Sequence, residues 1–334
     1  MKALITGASG FVGSHLTPRA VMRGYEVRIL LMPNEDNPFH QLPLEIVHGD
    51  ILEADSLKQA FVGIDVVFHL AAYVGGMSGL GRYEQFINMN VEGLRNVLEQ
   101  ARAAKVKKFI HVSSTAAVGP HILGRDITEE EPRDRAGYGY GDSKAIGEEL
   151  VETSGIDYVI ARPTLIIGER DSVAFRGIAK SLEEGTFRFI GDSNVIWSLV
   201  YAGDVANALL LMAEKDAAFG QIFNISSGEK IPYRDLVYAI ADELHISRPE
   251  KKIPVWFAIL LARTSSIFEK MFHLEPLISM AQIEPARHDM HASPKKIMEQ
   301  LGFQPTVTWR EAVHRTACWW TQEKQRPNQT MNHE

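Results

Sequence analysis

The sequence predicts an α/β protein built on a doubly wound parallel sheet, followed by a smaller, mainly helical C-terminal lobe. Two observations lead to this prediction. Short apolar runs alternate with helical stretches through the first half of the chain, and a glycine-rich turn joins the first run to the first helix. Continuously apolar strands that alternate with helices are typical of a parallel sheet covered on both faces. The ligands of such sheets bind beyond the carboxyl ends of the strands.

The strands and helices of this sheet follow each other regularly along the chain. The strand-like runs are Lys2–Thr6, Glu26–Leu31, Glu45–His48, Val66–Ala71, Lys108–Ser113 and Tyr158–Arg162. The helical stretches between them include Gly13–Met22, Ser56–Phe61, Asn90–Ala103 and Asp142–Thr153. The region Val195–Ile225 then predicts a strand, the helix Asp204–Ala213 and a further strand that returns to the sheet. From Ile231 the chain is mainly helical and is interrupted by prolines.

This order of elements suggests two domains. We expect residues 1–167, together with 192–228, to form the domain around the sheet. Residues 168–191 and 229–320 are expected to form a smaller lobe that closes over the ligand. The polar residues 321–334 are expected to be a disordered tail.

Composition excludes several classes of protein. With 45% hydrophobic and 23% charged residues, the chain is typical of a globular domain. A net charge of -7 argues against a nucleic-acid partner, because phosphates need basic residues for neutralisation. Cys318 is the only cysteine, which excludes disulfides and thiolate zinc sites and is typical of the reducing cytoplasm. The apolar runs Met1–Ile5 and Val255–Ala262 are too short for a signal sequence and for a membrane span, respectively.

The glycine-rich turn predicts a dinucleotide-binding loop. Gly7, Gly10 and Gly13 follow the first strand with the spacing G-x-x-G-x-x-G. A pyrophosphate needs backbone N–H groups at a helix N-terminus, so Phe11 and Val12 are expected to bind it together with the glycines. The alternative is an ordinary structural turn. Because the loop lies between a strand and a helix, we favour a Rossmann-type cofactor site.

The second strand leaves the choice between NAD and NADP open. An acidic residue at its end favours NAD, and an arginine favours NADP. The strand ends Leu30-Leu31-Met32-Pro33, which provides neither. Glu35 and Asp36 come slightly later, and Arg28 comes earlier.

A Tyr-x-x-x-Lys pair provides the candidate catalytic groups. Tyr140 is the only one of nine tyrosines with a lysine, Lys144, four residues later. Chance alone could produce one such spacing, but the pair follows a strand that ends in Ser113-Ser114-Thr115. Moving a hydride between an alcohol carbon and nicotinamide also requires a proton to move. A lysine ammonium lowers the pKa of a tyrosine from about 10, which favours Tyr140 as the acid/base and Lys144 as its activator.

Together these motifs resemble the extended short-chain dehydrogenase/reductase family over nearly the whole chain. The matching segments are the glycine loop, His48–Ile51, His69–Ala72, Asn90–Val97, Ser113–Thr115, Tyr140 with Lys144, and Arg162-Pro163. The resemblance implies NAD or NADP as the cofactor, bound by Asp50, Ile51, Leu70, Ala71, Ala72, Asn90, Tyr140, Lys144 and Pro163 as well as the glycine loop. It also implies that Thr115 orients the substrate oxygen, with Ser114 as the alternative one residue earlier. Tyr73, Thr164 and Trp197 are expected at the substrate.

Two departures from sugar-nucleotide members of this family indicate an apolar substrate. Those members have an asparagine soon after Arg-Pro and an arginine for the diphosphate where this chain has Trp197. An indole cannot replace that charged group. The C-terminal lobe is also rich in large apolar residues: Trp256, Phe257, Ile259, Leu260, Leu261, Ile267, Phe268, Met271 and Phe272. They are expected to form helix packing, an apolar pocket or a peripheral membrane contact.

The chain therefore resembles the branch with 3β-hydroxysteroid dehydrogenases, sterol decarboxylating dehydrogenases and dihydroflavonol-type reductases. This implies oxidation or reduction of a secondary alcohol or ketone on a mostly apolar small molecule. The main alternative is a nucleotide-sugar epimerase or dehydratase that retains NAD, and a non-catalytic nicotinamide sensor is a further one. His288 and His291 have no evident third ligand, so we expect no metal site. The resemblance also implies a homodimer through Asn90–Ala103 and Asp142–Thr153.

Overall fold

The computed structural model describes residues 1–75, 83–119, 125–135, 137, 139–272, 283 and 286–325, with backbone only for 265–272. The side chains of Ile267, Phe268, Met271 and Phe272 therefore lie outside the described residues. The strands are β1 Lys2–Thr6, β2 Glu26–Leu31, β3 Leu44–His48, β4 Val66–His69, β5 Lys108–Val112, β6 Tyr158–Pro163, β7 Leu165–Ile167, β8 Phe189–Ile190, β9 Ile196–Trp197, β10 Leu199–Tyr201, β11 Gln221–Ile225, β12 Ile231–Pro232 and β13 Lys252–Ile253.

The helices cover both faces of the sheet and form most of the C-terminal part. They are α1 Phe11–Met22, α2 Ala54–Phe61, α3 Tyr83–Ile87, α4 Gly93–Ala103, α5 Gly139–Glu152, α6 Ala174–Glu183, α7 Ala202–Glu214, α8 Tyr233–Glu243, α9 Val255–Phe272, α10 Lys295–Leu301 and α11 Trp309–Gln325. A π-helical turn, Asn88–Glu92, joins α3 to α4, and a 3-10 turn, Thr115–Val118, follows β5.

The central sheet has seven parallel strands in the order β11-β6-β5-β4-β1-β2-β3. The chain builds outward from β1 in one direction through β2 and β3, and in the other through β4, β5 and β6. The loops that follow β1 and β4 therefore diverge to opposite faces, which opens a crevice at the carboxyl ends of these two strands. The predicted doubly wound α/β fold is confirmed.

Two apolar layers hold the helices on the sheet. One layer packs α1, α7 and α10 against one face through side chains such as Leu16, Leu209 and Leu301. The other packs α2, α4 and α5 against the opposite face through side chains such as Phe61 and Leu94. Burial of the inner strands on both faces explains why strands such as β1 and β4 are mostly apolar.

The segment after β6 differs from the expectation in one respect. Of the two strands predicted in Val195–Ile225, only β11 joins the central sheet, beside β6. The earlier strand is divided into β9 and β10, and β10 pairs with β7 in a separate ribbon. β10 instead pairs with β7, which follows β6 directly in the chain, and so it lies outside the seven-stranded sheet. The proposed division into domains remains a prediction.

The predicted disordered tail was wrong at its beginning, because α11 extends through Gln325. Glu183 of α6 anchors its last turns by accepting hydrogen bonds from Trp320 Nε1 at 3.0 Å and from Lys324 Nζ at 2.6 Å. These contacts stabilise Thr321–Gln325 as helix. Residues 326–334 lie outside the described residues. None of the helices in the described part of the chain is long and apolar enough to cross a bilayer.

Candidate active site

The glycine loop lies against the segment that follows β4. Gly7 has a φ of +70°, and a Cβ on it would lie 2.7 Å from the backbone nitrogen of Ala71. A Cβ on Gly13 would lie 2.1 Å from the carbonyl oxygen of Gly7, which is too close for any side chain. Gly10 donates its N–H to that same oxygen at 3.2 Å. The three glycines therefore allow a tight turn and a close helix–strand approach.

The N-terminus of α1 begins at Phe11 directly after this turn. No side chain caps the helix, and no acidic residue lies in its first turn. Its first backbone N–H groups, with the positive end of the helix dipole, are suited to an anion. The loop therefore fits the pyrophosphate of a dinucleotide.

The other predicted cofactor-binding segments line the same end of the sheet. The N–H of Ala71 donates to Thr6 Oγ1 at 3.3 Å, which fixes the segment Leu70–Ala72 at the end of β1. The Asp50 carboxylate accepts the N–H of Leu52 at 2.9 Å. Ile51 is buried, and its carbonyl oxygen accepts from Asn96 Nδ2 at 2.8 Å. These contacts hold both segments in place beside the crevice.

The side chain of Asn90 connects the segment after β4 to α5 through hydrogen bonds. Its side chain accepts the N–H of Tyr73 at 2.7 Å and donates to the carbonyl oxygen of Tyr73 at 2.9 Å. It also donates to the Ser143 hydroxyl at 2.9 Å, and Ser143 in turn donates to the Tyr140 carbonyl oxygen at 2.8 Å. The predicted cofactor contact is thus a buried amide that ties the segment after β4 to α5.

The structure brings Tyr140 and Lys144 together on the first turns of α5. Lys144 Nζ lies 5.7 Å from the centroid of the Tyr140 ring and donates to the carbonyl oxygen of Val112 at 2.9 Å. Lys144 is only 5% exposed. The helical spacing places both groups on the face of α5 that meets the end of β5.

Burial controls the ionisation of both groups. It raises the pKa of Tyr140 to about 12, and a hydrogen bond with Ser114 opposes this shift. It lowers the pKa of Lys144 to about 8, against which the Glu148 carboxylate acts. The expected lowering of the Tyr140 pKa by Lys144 is not observed in this state, because burial is the dominant effect and the ammonium faces Val112.

Of the two candidate hydroxyls, Ser114 lies at Tyr140. Its side chain hydrogen-bonds Tyr140 and also accepts the N–H of Ala116 at 3.1 Å. Thr115 is buried, and its hydroxyl donates to the carbonyl oxygen of Pro163 at 3.4 Å. The geometry therefore favours Ser114, the alternative one residue earlier, over Thr115.

The three predicted substrate residues do not lie together: Tyr73 lies near Tyr140, whereas Thr164 and Trp197 contact other elements. The Tyr73 ring packs on Phe86 at 5.0 Å between centroids, and Phe86 packs edge-on against Tyr140 at 6.2 Å. The rings of Tyr73 and Phe86 therefore form an apolar surface next to Tyr140. The buried Thr164 donates to the carbonyl oxygen of Ile225 at 3.4 Å, so its hydroxyl faces β11. Trp197 packs on Tyr233, the first residue of α8, at 4.5 Å between ring centroids.

The carboxylate of Glu35 lies at the end of β2, a position that could not be inferred from the sequence. Glu35 Oε2 accepts the N–H of Met32, the residue directly after β2, at 3.1 Å. Arg28 is only 3% exposed, and its guanidinium donates to both carboxylate oxygens of Glu45 and to the carbonyl oxygen of Ala60. Arg28 is therefore not available to a ligand, whereas Glu35 lies at the end of the strand.

A buried ion pair next to the site was missed by sequence reasoning. Glu148 of α5 and Arg162 of β6 are 0% and 1% exposed, and their side chains lie 2.6 Å apart. The one available signal was the position of Glu148, four residues after Lys144 and hence on the same helical face. Within the described residues, no group of three or more His, Cys, Asp or Glu side chains could hold a metal ion.

Comparison with known proteins identifies the family. The model of the NAD dependent epimerase/dehydratase family matches residues 3–226, which is most of the chain. The chain belongs to this family. The predicted resemblance and the nicotinamide dinucleotide cofactor are thereby confirmed, since the family is NAD dependent.

Several enzymes are similar to this chain over most of its length. The chain is 28% identical to the decarboxylating sterol-4-alpha-carboxylate 3-dehydrogenase of Mus musculus, covering 94% of this chain and 90% of the relative. It is 29% identical to a 3 beta-hydroxysteroid dehydrogenase/Delta 5-->4-isomerase of Mycobacterium tuberculosis, covering 95% and 89%. A farnesyl-dihydroquinoline-oxide ketoreductase of Stigmatella aurantiaca is 27% identical over 76% of each chain.

Solved structures agree with the observed fold. The crystal structure of gox2253 superposes with a TM-score of 0.81 and 27% identity, covering 96% of this chain and 98% of that one. UDP-glucose 4-epimerase of Thermotoga maritima superposes with a TM-score of 0.78 and 21% identity, covering 97% and 100%. At that identity the second similarity concerns the fold alone.

Proposed function

We propose that this protein is an NAD-dependent oxidoreductase that interconverts a secondary alcohol and a ketone on a mostly apolar, steroid-like substrate. The observation that carries the proposal is the juxtaposition of Ser114, Tyr140 and Lys144 at the carboxyl ends of the strands, beside a loop shaped for a dinucleotide. Bound nicotinamide supplies the hydride chemistry. The chain supplies the proton and the orientation of the substrate.

Each of the three groups has one role. Tyr140 remains a phenol at neutral pH because its pKa is about 12, so it holds the proton that a ketone oxygen receives. Ser114 hydrogen-bonds the same oxygen and orients it toward Tyr140. Lys144 is an ammonium below its pKa of about 8, and its charge stabilises the phenolate that forms when the proton leaves.

The cofactor is NAD rather than NADP. In folds of this type the adenosine ribose lies at the end of the second strand, where an acidic residue accepts hydrogen bonds from the ribose hydroxyls. Glu35 brings a carboxylate back to that point through its contact with Met32. The same carboxylate would repel a 2′-phosphate, and Arg28 is occupied elsewhere. The preference for NAD thus follows from Glu35, although this residue comes four positions after the last residue of β2.

The apolar substrate class is supported by the site and by the relatives. The rings of Tyr73 and Phe86 provide an apolar surface next to Tyr140. The relatives named above act on a sterol carboxylate, a hydroxysteroid and a farnesylated ring system. The alternative, a nucleotide-sugar epimerase with retained NAD, is favoured by the epimerase/dehydratase family model and by fold similarity to UDP-sugar epimerases.

A substrate panel distinguishes these two functions. Purified protein is incubated with NAD⁺ and hydroxysteroids, other cyclic secondary alcohols or UDP-sugars, while reduced-nicotinamide absorbance and sugar products are followed together. Absorbance that grows with an apolar alcohol supports the oxidoreductase. Conversion of a UDP-sugar with no net cofactor reduction, and no response to any alcohol, would overturn it.

The exposed face of α9 is proposed to contact an anionic membrane surface, from which an apolar substrate would enter. Trp256, Phe257 and Leu260 are 68%, 39% and 50% exposed on its first turns. The exposed Lys251 and Lys252 lie three to four residues before Val255, the first residue of this helix, and give a local positive charge in a chain of net charge -7. Apolar side chains next to lysines are typical of helices that lie in the interface of anionic lipids.

Vesicle sedimentation tests this contact. Wild-type protein is expected to sediment with phosphatidylglycerol vesicles and less with neutral ones, and a triple Trp256→Ser, Phe257→Ser, Leu260→Ser variant is expected to stay in the supernatant. Met22, which is 83% exposed on α1, provides the control Met22→Ser. Equal sedimentation of all three proteins would contradict the proposal.

The family resemblance further supports a homodimer through the helices within Asn90–Ala103 and Asp142–Thr153, and the single exposed Cys318 supports a cytoplasmic location. Light scattering coupled to gel filtration tests the dimer, and a mass near 37.3 kDa would contradict it.

A further inference from the structure

The carboxylate of Glu148 is a buried junction of four hydrogen bonds. Its Oε1 accepts from Ser113 Oγ at 2.6 Å and from Arg162 Nε at 2.8 Å. Its Oε2 accepts from Arg162 Nη2 at 2.6 Å and from Arg133 Nε at 2.8 Å. Burial favours the neutral acid, but these hydrogen bonds keep the pKa of Glu148 below its ordinary value. Glu148 is therefore a carboxylate inside the protein.

Two of the three partners of Glu148 are adjacent in sequence to a residue of the proposed active site. Ser113 precedes Ser114 at the end of β5, and Arg162 precedes Pro163 at the end of β6. Glu148 itself lies one helical turn after Lys144 on α5. One side chain thus fixes the distance between the three elements that carry the hydroxyl, the ammonium and the edge of the cofactor crevice.

The charge of Glu148 also acts on Lys144. The groups that face the ammonium are the Val112 carbonyl oxygen, the Tyr140 ring and the buried imidazoles of His69 and His111. Burial lowers the pKa of both histidines, to about 3 for His69, so they are neutral and do not stabilise the ammonium. Glu148 supplies the negative charge that opposes the loss of its proton.

The charge around Glu148 is balanced from the loop and from β6. Arg162 faces it from β6, and Arg133 faces it from the loop before α5. Arg133 is shared, because its Nη2 also lies 2.6 Å from Glu152 Oε1. Its side chain is 21% exposed, so it can be replaced with less disruption than Arg162.

We propose that Glu148 is a positioning residue for the reaction, one that holds Ser114 and the ammonium of Lys144 at Tyr140 and keeps that ammonium charged. This inference rests on the proposed function of the Tyr140–Lys144 pair. Because Glu148 is 0% exposed, it acts through Ser113, Arg162 and Lys144 rather than by direct contact with a ligand.

The direct test follows the ionisation of Lys144 without any substrate. Protein with ¹³C-labelled lysine is titrated by NMR, and the Lys144 signal is assigned by its loss in Lys144→Arg. The midpoint is expected near the pKa of about 8 in the wild type. The midpoint is expected to fall by about one pH unit in Glu148→Gln, since a nearby opposite charge shifts a pKa by roughly one to three units. Arg133→Gln, which removes a cation from Glu148, is expected to raise it.

Controls separate this role from a structural one. Glu149→Gln alters the neighbouring exposed carboxylate, which pairs with Arg135, and is expected to leave the midpoint unchanged. Glu148→Asp keeps the charge and is expected to retain the midpoint even if the protein is less stable. An unchanged midpoint in both Glu148→Gln and Arg133→Gln would overturn the proposal. If Glu148→Gln fails to fold, the Lys144 midpoint in Arg133→Gln tests the proposal instead: an upward shift supports it, and an unchanged midpoint overturns it.

Activity adds a second readout. Glu148→Gln is expected to lower kcat by roughly ten- to a hundredfold at neutral pH with little change in KM, and to move the alkaline fall of the pH–rate profile to lower pH. If kcat falls only in proportion to the loss of folded protein and the pH–rate profile does not shift, the positioning role of Glu148 is also contradicted. A wild type inactive toward every alcohol would refute the proposed function instead, while the NMR result still stands by itself.

Discussion

Ser114 hydrogen-bonds Tyr140, whereas the hydroxyl of the next residue is turned away toward the backbone of Pro163. Of the two adjacent hydroxyls, the structure therefore pairs that of Ser114 with Tyr140. It also predicts that the two positions respond differently to substitution.

Ser114→Ala is expected to lower kcat about tenfold or more, because a hydrogen bond that orients the substrate oxygen contributes about 1–2 kcal/mol. Thr115→Val keeps the shape of the side chain and is expected to retain most of the activity, with a small loss of stability. Steady-state kinetics on both variants checks this. The reverse order of effects would assign the role to Thr115.

Tyr140→Phe is expected to reduce turnover by about a hundred- to ten-thousandfold, because the variant has no proton to exchange with the substrate oxygen. NAD binding, measured by calorimetry in the absence of substrate, is expected to change little, since the glycine loop is untouched. Substantial turnover by Tyr140→Phe would exclude it as the acid/base.

The activity is expected to fall as the pH rises through about 8, where buried Lys144 loses its proton. Lys144→Arg keeps a positive charge to much higher pH, so its lower activity is expected to show no fall in this range. Because the folded-state pKa of Lys144 lies below that of the unfolded chain, the unfolded chain binds more protons between the two values. This group's contribution to stability therefore increases with pH above about 8. A fall near pH 8 in Lys144→Arg would mean that another group titrates.

Glu35→Gln is expected to weaken NAD binding by about tenfold and NADP binding less, since a hydrogen bond to a charged acceptor contributes about 1.5–3 kcal/mol. Asp36→Asn is the matched control, because Asp36 is the neighbouring exposed carboxylate. Calorimetric titration of each variant with both cofactors gives the ratio. An unchanged ratio in Glu35→Gln would remove Glu35 from cofactor selection.

The fold was largely predictable because its signals are local. The strands β1, β2 and β5 match the apolar runs within one residue, and the glycine spacing indicated the turn after β1. Contacts between distant segments were not predictable. The link between Glu148 and Arg162 depends on how α5 lies across β6, which no spacing encodes.

The sequence motifs predicted which segments form the candidate site, but not which side chains point into it. Tyr140 and Lys144 share a helical face because of their spacing, but consecutive residues after a strand point in different directions. The choice between Ser114 and Thr115 therefore required the backbone. Likewise, Glu35 reaches the end of β2 only because the chain folds back to Met32.

The most direct test of the proposed function follows the hydride itself. The protein is equilibrated with NAD⁺ and a hydroxysteroid that carries deuterium on its carbinol carbon, and the free cofactor is analysed by mass spectrometry. We expect one deuterium in the released reduced nicotinamide, together with the ketosteroid, and neither product with Tyr140→Phe. No deuterium in free cofactor, with epimerisation of a UDP-sugar by the same preparation, would contradict the oxidoreductase and establish a retained-NAD epimerase.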